Sequence, residues 1–101
     1  MRNSRGIDEP CFVMSIAAQL VGVGAQTMRY YERVGLITPS RSGGNVRLYS
    51  RRDVERLRRI RTFVEDMGVN LAGAEVIMRL VDRIRELEAR LEISEKQAST
   101  S

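Results

Sequence analysis

Residues 15–36 read "SIAAQLVGVGAQTMRYYERVGL". Ser15 is suited to cap a helix over the apolar segment at 16–21, which Gly22 and Gly24 then interrupt. From Ala25 the helical spacing resumes: Met28, Tyr31 and Val34 share one face, while Gln26, Arg29, Tyr30 and Arg33 share the other. Gly35 followed by Leu36 has the form of a C-terminal cap with its apolar contact. Two short helices joined through a glycine-containing connection are the outline of a helix-turn-helix.

After it, "ITPSRSGGNVRLYS" at 37–50 puts Gly43, Gly44 and Asn45 between two segments of β character, which predicts a hairpin with a flexible tip. Ser50 and Asp53 have the spacing of a capping box, so a third helix is expected from Arg51. Its apolar stripe is Val54, Leu57, Ile60 (or Arg61) and Val64, and Gly68 ends it. Asn70 then caps a fourth helix from Leu71, with no glycine or proline between Ala74 and Gln97. On the other side, "CFVM" at 11–14 is a short extended piece, and residues 1–10 read as a flexible arm ending at Pro10. The expected fold is mainly α: an arm at 1–10, a winged helix-turn-helix domain with a small β-hairpin wing at 11–80, and a C-terminal dimerisation helix and tail at 81–101.

Ile77, Leu80, Ile84, Leu87 and Leu91 are spaced three, four, three and four apart, a heptad seam. The seam is either a dimer contact or the apolar edge of a helix packed on its own domain. The dimer is favoured, because Leu87 and Leu91 lie past the globular part and are otherwise exposed. With Ile77, Ile84 and Leu91 at a positions, Arg83 and Arg90 take g and Glu88 and Glu95 take e, an arrangement that pairs well in a parallel dimer.

The net charge of +4 is unevenly distributed. Residues 29–61 carry ten arginines against Glu32, Asp53 and Glu55, a local +7, whereas residues 62–101 carry five bases against eight acids, a local −3. All three tyrosines, Tyr30, Tyr31 and Tyr49, lie within the basic block. Concentrated arginine on a folded segment is the footprint of a protein that meets a polyanion, nucleic acid first and an anionic membrane second. For 56–61 alone, a solvated and salt-bridged helix face is the plainer reading.

Other function classes find no residues to support them. With no histidine, one cysteine (Cys11, read as a small core residue) and no clustered carboxylates, the chain offers no metal site, no cofactor site and no constellation for an enzyme. No apolar run approaches membrane-spanning length, and residues 1–10 hold no secretion signal, so a cytoplasmic, nucleoid-associated protein is expected.

The segment "SIAAQLVGVGAQTMRYYERVGLITPSR", followed by "VRLYSRRDVERL", resembles the DNA-binding domain of the MerR family of bacterial transcription regulators over about residues 13–80. "GVNLAGAEVIM" at 68–78 resembles the family's heat-shock repressor branch, HspR. The resemblance implies DNA contacts from Arg29 and Tyr31 on the recognition helix and from Arg47 on the wing. The tyrosine that usually precedes the wing arginine is replaced by Val46, and Gly24 stands where many relatives have Ser or Thr. Beside it stand readings from the residues themselves. Gln26 is suited to read adenine, Arg41 lies across the hairpin from Arg47, and Arg51 and Arg52 sit at a helix start that favours phosphate. Tyr31 is equally suited to the core; Arg33 and Arg52 are read first as DNA contacts, with surface pairs to Glu32 or Glu55 as the alternative. The resemblance further implies an antiparallel homodimer on an inverted-repeat operator, repression of chaperone and protease genes, and the chaperone DnaK as co-repressor. A MerR-type regulator answering another signal and a non-specific architectural DNA-binding protein are the alternatives.

Overall fold

A computed structural model describes residues 5–100 in the order α1 (Arg5–Asp8), β1 (Phe12–Val13), α2 (Met14–Val21), α3 (Ala25–Arg33), β2 (Ser40–Arg41), β3 (Arg47–Tyr49), α4 (Arg51–Arg61), a π-helical turn (Thr62–Asp66) and α5 (Leu71–Thr100). The first four residues of the expected arm lie outside the described residues, and the next four form a helical turn rather than a loose segment. Asp8 in that turn accepts from Arg52 Nε at 2.5 Å.

Gly22 closes α2 in the left-handed conformation (φ 88°), its N–H donating to the Ala18 carbonyl at 2.8 Å. Gly24 (φ −82°) is the N-cap of α3 and offers no side-chain cap. At the other end of α3 a Schellman pair forms, with Gly35 N–H on the Glu32 carbonyl at 3.1 Å and Leu36 N–H on the Tyr31 carbonyl at 3.0 Å. Gly35 has φ 86°, and Leu36, the apolar partner of the motif, is buried. The helix-turn-helix is therefore punctuated by two left-handed glycines, at the positions where its sequence pattern breaks. Val34, expected on the buried face, is the C-cap and stays 36% exposed, because the helix ends before its side chain turns inward.

Two expectations fail at the start of α2. Ser15 is not the cap: the helix begins at Met14 with Val13 in the N-cap position and no side-chain hydrogen bond. The reason is β1, which pairs antiparallel with β3, Phe12 opposite Tyr49 and Val13 opposite Leu48, so the strand's end fixes the helix start. Cys11 is exposed and not a core residue, since the alternation of strand side chains turns Phe12 inward and its neighbours outward. The hairpin consequently becomes part of a three-stranded sheet in the order β1-β3-β2.

Ser50 caps α4 as its spacing predicts: its Oγ accepts from Asp53 N–H at 3.0 Å, and Asp53 Oδ2 accepts from Ser50 N–H at 2.9 Å. Val54, Leu57 and Ile60 from α4 are buried, as are Ala17, Ala18 and Val21 of α2, Met28 and Tyr31 of α3, and Leu36, Ile37 and Tyr49. Full burial of such apolar side chains contributes about 1.5–3 kcal/mol each. Val64 is only half-buried, in the π-helical turn, and Gly68 (φ 74°) follows.

The chain divides into two compact units, Met1–Val69 and Asn70–Ser101, and α5 runs uninterrupted from Leu71. Asn70 opens it as expected, Oδ1 accepting from Gly73 N–H at 2.7 Å.

Candidate nucleic-acid interface

The outward face of α3 carries Gln26, Arg29, Tyr30 and Arg33, which with Thr27 line a shallow open depression. Arg33 lies over the Tyr30 ring at 5.2 Å, a cation–π contact that holds both side chains while leaving the ring accessible. Arg29, Arg51 and Arg59 make no ion pair or side-chain hydrogen bond among the described residues. An unpaired guanidinium on an exposed helix face retains all its donors for a phosphate or a guanine edge.

The wing stands on a carboxylate from α3. The antiparallel register places Arg41 opposite Arg47, and both reach Glu32: Arg47 Nε donates to Oε1 at 2.6 Å and Arg41 Nη2 to Oε2 at 3.3 Å. At the tip, Ser42 Oγ accepts from the N–H groups of Gly44 and Val46, and Asn45 takes the left-handed conformation at φ 64°. Arg41 Nη1 donates to the Asn45 carbonyl at 3.4 Å. The expected flexible tip is thus a closed turn tied at both ends.

The surface-pair reading of the arginines holds for some of them with different partners. Arg52 pairs with Asp8 rather than Glu55, Arg58 approaches Glu55, and Glu32 serves the wing rather than Arg33. Such exposed pairs contribute little each. Three α4 arginines have inward duties that sequence reasoning missed. Arg56 Nε donates to the Leu36 carbonyl at 2.9 Å, Arg58 Nε to the Leu20 carbonyl at 3.2 Å, and the Arg61 guanidinium lies against Gly22, where an added Cβ would be 3.6 Å from Nε. The Leu20 carbonyl lies in the last turn of α2, at the negative end of that helix's dipole, which favours a cation there, whereas Leu36 lies in the cap that follows α3.

Tyr31 is corrected from DNA contact to core: it is 1% exposed and its hydroxyl has no partner among the described residues. Burial pushes its pKa above the ordinary tyrosine value, Glu65 adds to the rise and Arg61 opposes it. Tyr49, fully buried in β3, is raised for the same first reason, with Glu32 adding and Arg47 opposing. The aromatic that α3 presents to solvent is Tyr30, 43% exposed.

On α5, Leu80, Ile84, Leu87 and Leu91 are exposed and Ile77 is half-buried. Arg83 and Arg90 both bind Glu86 of their own helix, at 2.7 and 3.0 Å, rather than standing unpaired beside the seam. Arg83's hydrogen bond and charge, with Arg90 behind it, lower the Glu86 pKa. Among the described residues no helix is long and apolar enough to cross a membrane, and no group of three or more Cys, Asp or Glu is placed to hold a metal ion.

This arrangement has known counterparts. The chain is 47% identical over 83 residues to a Streptomyces coelicolor protein that carries the name heat shock protein HspR, covering 82% of this chain and 55% of that protein. It is 35% identical over 77 residues to the transcriptional regulator GlnR of Bacillus anthracis, covering 76% of this chain and 59% of that one. The chain thus spans little more than half the length of these relatives. Among solved structures it is similar to HiNmlR, described as a MerR family regulator lacking the sensor domain, bound to promoter DNA. That match has a TM-score of 0.66 at 22% identity, covering 87% of this chain and 67% of that one, a likeness of fold. The profile of the MerR HTH family regulatory protein matches residues 12–81. The chain therefore belongs to the MerR HTH family, whose members are DNA-binding transcription regulators rather than enzymes.

Proposed function

We infer that this protein is a homodimeric repressor that binds an inverted-repeat operator in front of heat-shock genes for chaperones and proteases. The observation that carries the DNA-binding part is the open α3 face, with Arg29 unpaired among the described residues, beside a wing whose two arginines are already oriented. Arginine there supplies both charge and a bidentate fork, so α3 is suited to a major groove and the wing to the adjacent backbone. Gln26 and Arg29 are the base-reading residues, Tyr30 and Arg33 accompany them, and Arg41, Arg47, Arg51 and Arg52 hold phosphates.

The heat-shock part is supported by the likeness to the Streptomyces coelicolor HspR. The dimer is supported by the exposed heptad seam on α5, because two-fold pairing through Leu80, Ile84, Leu87 and Leu91 covers apolar surface that water otherwise meets. A two-fold dimer carries two copies of the interface, and its operator has matching symmetry. DnaK is the proposed co-repressor, drawn away when unfolded protein accumulates on heating. The setting is the bacterial cytoplasm, at the nucleoid.

The test is a titration against the DNA upstream of its own gene and upstream of the host dnaK operon, beside a random duplex, with and without DnaK. Selective binding that DnaK strengthens is the expected result. Selective binding indifferent to DnaK removes the chaperone from the scheme and redirects the search to another signal.

A further inference from the structure

We propose that Glu32 is the positioning residue of the wing: its carboxylate holds the Arg47 guanidinium by the inner nitrogen and leaves the two terminal nitrogens to grip a DNA phosphate. This rests on the DNA-binding reading above.

By charge alone Glu32 is misplaced. It is the lone acid between Arg29 and Arg52, and a carboxylate near a polyanion lowers affinity through repulsion. The geometry gives it another role. Its two oxygens are divided between the two wing strands, Oε1 taking Arg47 Nε at 2.6 Å and Oε2 taking Arg41 Nη2 at 3.3 Å. Its side chain is 21% exposed, less than Arg47 at 31% or Arg41 at 40%, so the acid sits behind the two cations. Arg47 spends only Nε on this contact, and its Nη1 and Nη2 have no partner among the described residues.

A guanidinium is planar, so fixing Nε fixes the direction of the Nη1–Nη2 edge. That edge offers two parallel donors, the arrangement that matches two oxygens of one phosphate. Arginine is also among the side chains that lose most rotamer freedom on being ordered. A residue that orders it before DNA arrives lowers that cost at the moment of binding. The same clamp reaches the hairpin tip, since Arg41 spans from Glu32 to the Asn45 carbonyl.

Repulsion and positioning predict opposite signs, which makes the claim testable with a random-sequence duplex and the full chain. Glu32→Gln keeps the side chain's shape and removes its charge. At fixed low ionic strength the substitution should weaken binding several-fold in the wild-type background. In an Arg41→Ala/Arg47→Ala background it should strengthen binding, because with both wing cations gone only the relief of repulsion remains. Stronger binding in both backgrounds overturns the proposal and leaves Glu32 a repulsive charge. Weaker binding by the same factor in both also overturns it, since the effect then does not pass through Arg47. In parallel, nitrogen-15 NMR of the free protein reads the Arg47 Nε–H. It should exchange slowly with water in the wild type and faster in Glu32→Gln, whose neutral amide oxygen is a weaker acceptor; rapid exchange in the wild type contradicts the clamp. A wild-type protein that binds no duplex yet shows a protected Nε–H gives the separable result: the DNA-binding reading and the phosphate grip fall, and the clamp stands.

Discussion

Arg56 Nε donates to the carbonyl oxygen of Leu36 at 2.9 Å, joining α4 to the cap that ends α3. This bond separates two populations within one basic block. Arg56, Arg58 and Arg61 turn toward the ends of other helices, whereas Arg29, Arg51 and Arg59 make no such contact among the described residues.

The division predicts opposite phenotypes for chemically identical substitutions. Arg56→Ala leaves a half-buried carbonyl without its charged donor and should destabilise the protein by about 1–2 kcal/mol. Arg29→Ala should leave the unfolding midpoint unchanged. Urea unfolding at one protein concentration checks both, and a stability loss at Arg29 would move that residue from the interface into the scaffold.

On DNA the order reverses within the interface. Arg29→Ala should lower operator affinity and discrimination together, by about 1–3 kcal/mol if it reads a base. Arg47→Ala should weaken operator and random duplexes evenly, as phosphate contacts carry no sequence information directly. Paired titrations of the two variants at one salt concentration decide it. Unchanged operator affinity in Arg29→Ala would displace the recognition helix from its assigned role.

Tyr31→Phe should cost little stability and no DNA affinity, because its hydroxyl is buried without a partner among the described residues. The ionised form is disfavoured in the fold, so Tyr31 and Tyr49 have pKa values raised above the ordinary 10.0. In the unfolded chain these groups ionise first, and the unfolded state then binds fewer protons than the native one. Stability is accordingly unaffected by them below pH 10.0 and falls as pH rises above it. Thermal melts of wild type and Tyr31→Phe across that range should show a shallower decline in the variant. Equal slopes would mean that Tyr31 ionises as freely folded as unfolded.

Leu87→Asp places a charge in the middle of the α5 seam and should yield a monomer in sedimentation equilibrium, with DNA affinity lost in step. An intact dimer would return the seam to the packed-edge reading. Glu86 pairs with Arg83 and Arg90 of its own helix, so Glu86→Ala should leave the oligomeric state unchanged.

The helix-turn-helix was legible because its signals are local. Gly22 and Gly35 stand where left-handed backbone is required, and Ser50 with Asp53 announces a helix start in four residues. What stayed hidden depends on partners distant in the chain. The start of α2 is set by strand pairing with residues 48 and 49, which outweighs the capping preference of Ser15. Tyr31 fits both the interface and the core by its sequence, and its helical spacing with Met28 is the sounder guide. The inward roles of Arg56 and Arg58 reach back 20 and 38 residues, beyond any periodicity. Glu32 did leave a trace in the sequence, as a single acid inside a run of bases, and the wing clamp is what that trace meant.

The central claim is that α3 and the wing form one DNA-binding surface, α3 reading the sequence and the wing holding the adjacent backbone. Its most direct test is the ratio of affinities for the protein's own upstream DNA and a random duplex, measured at physiological salt. The account predicts selectivity on the order of a thousandfold or more, collapsing in Arg29→Ala. Equal affinity for both duplexes in the wild type would contradict it and make the protein an architectural binder of DNA.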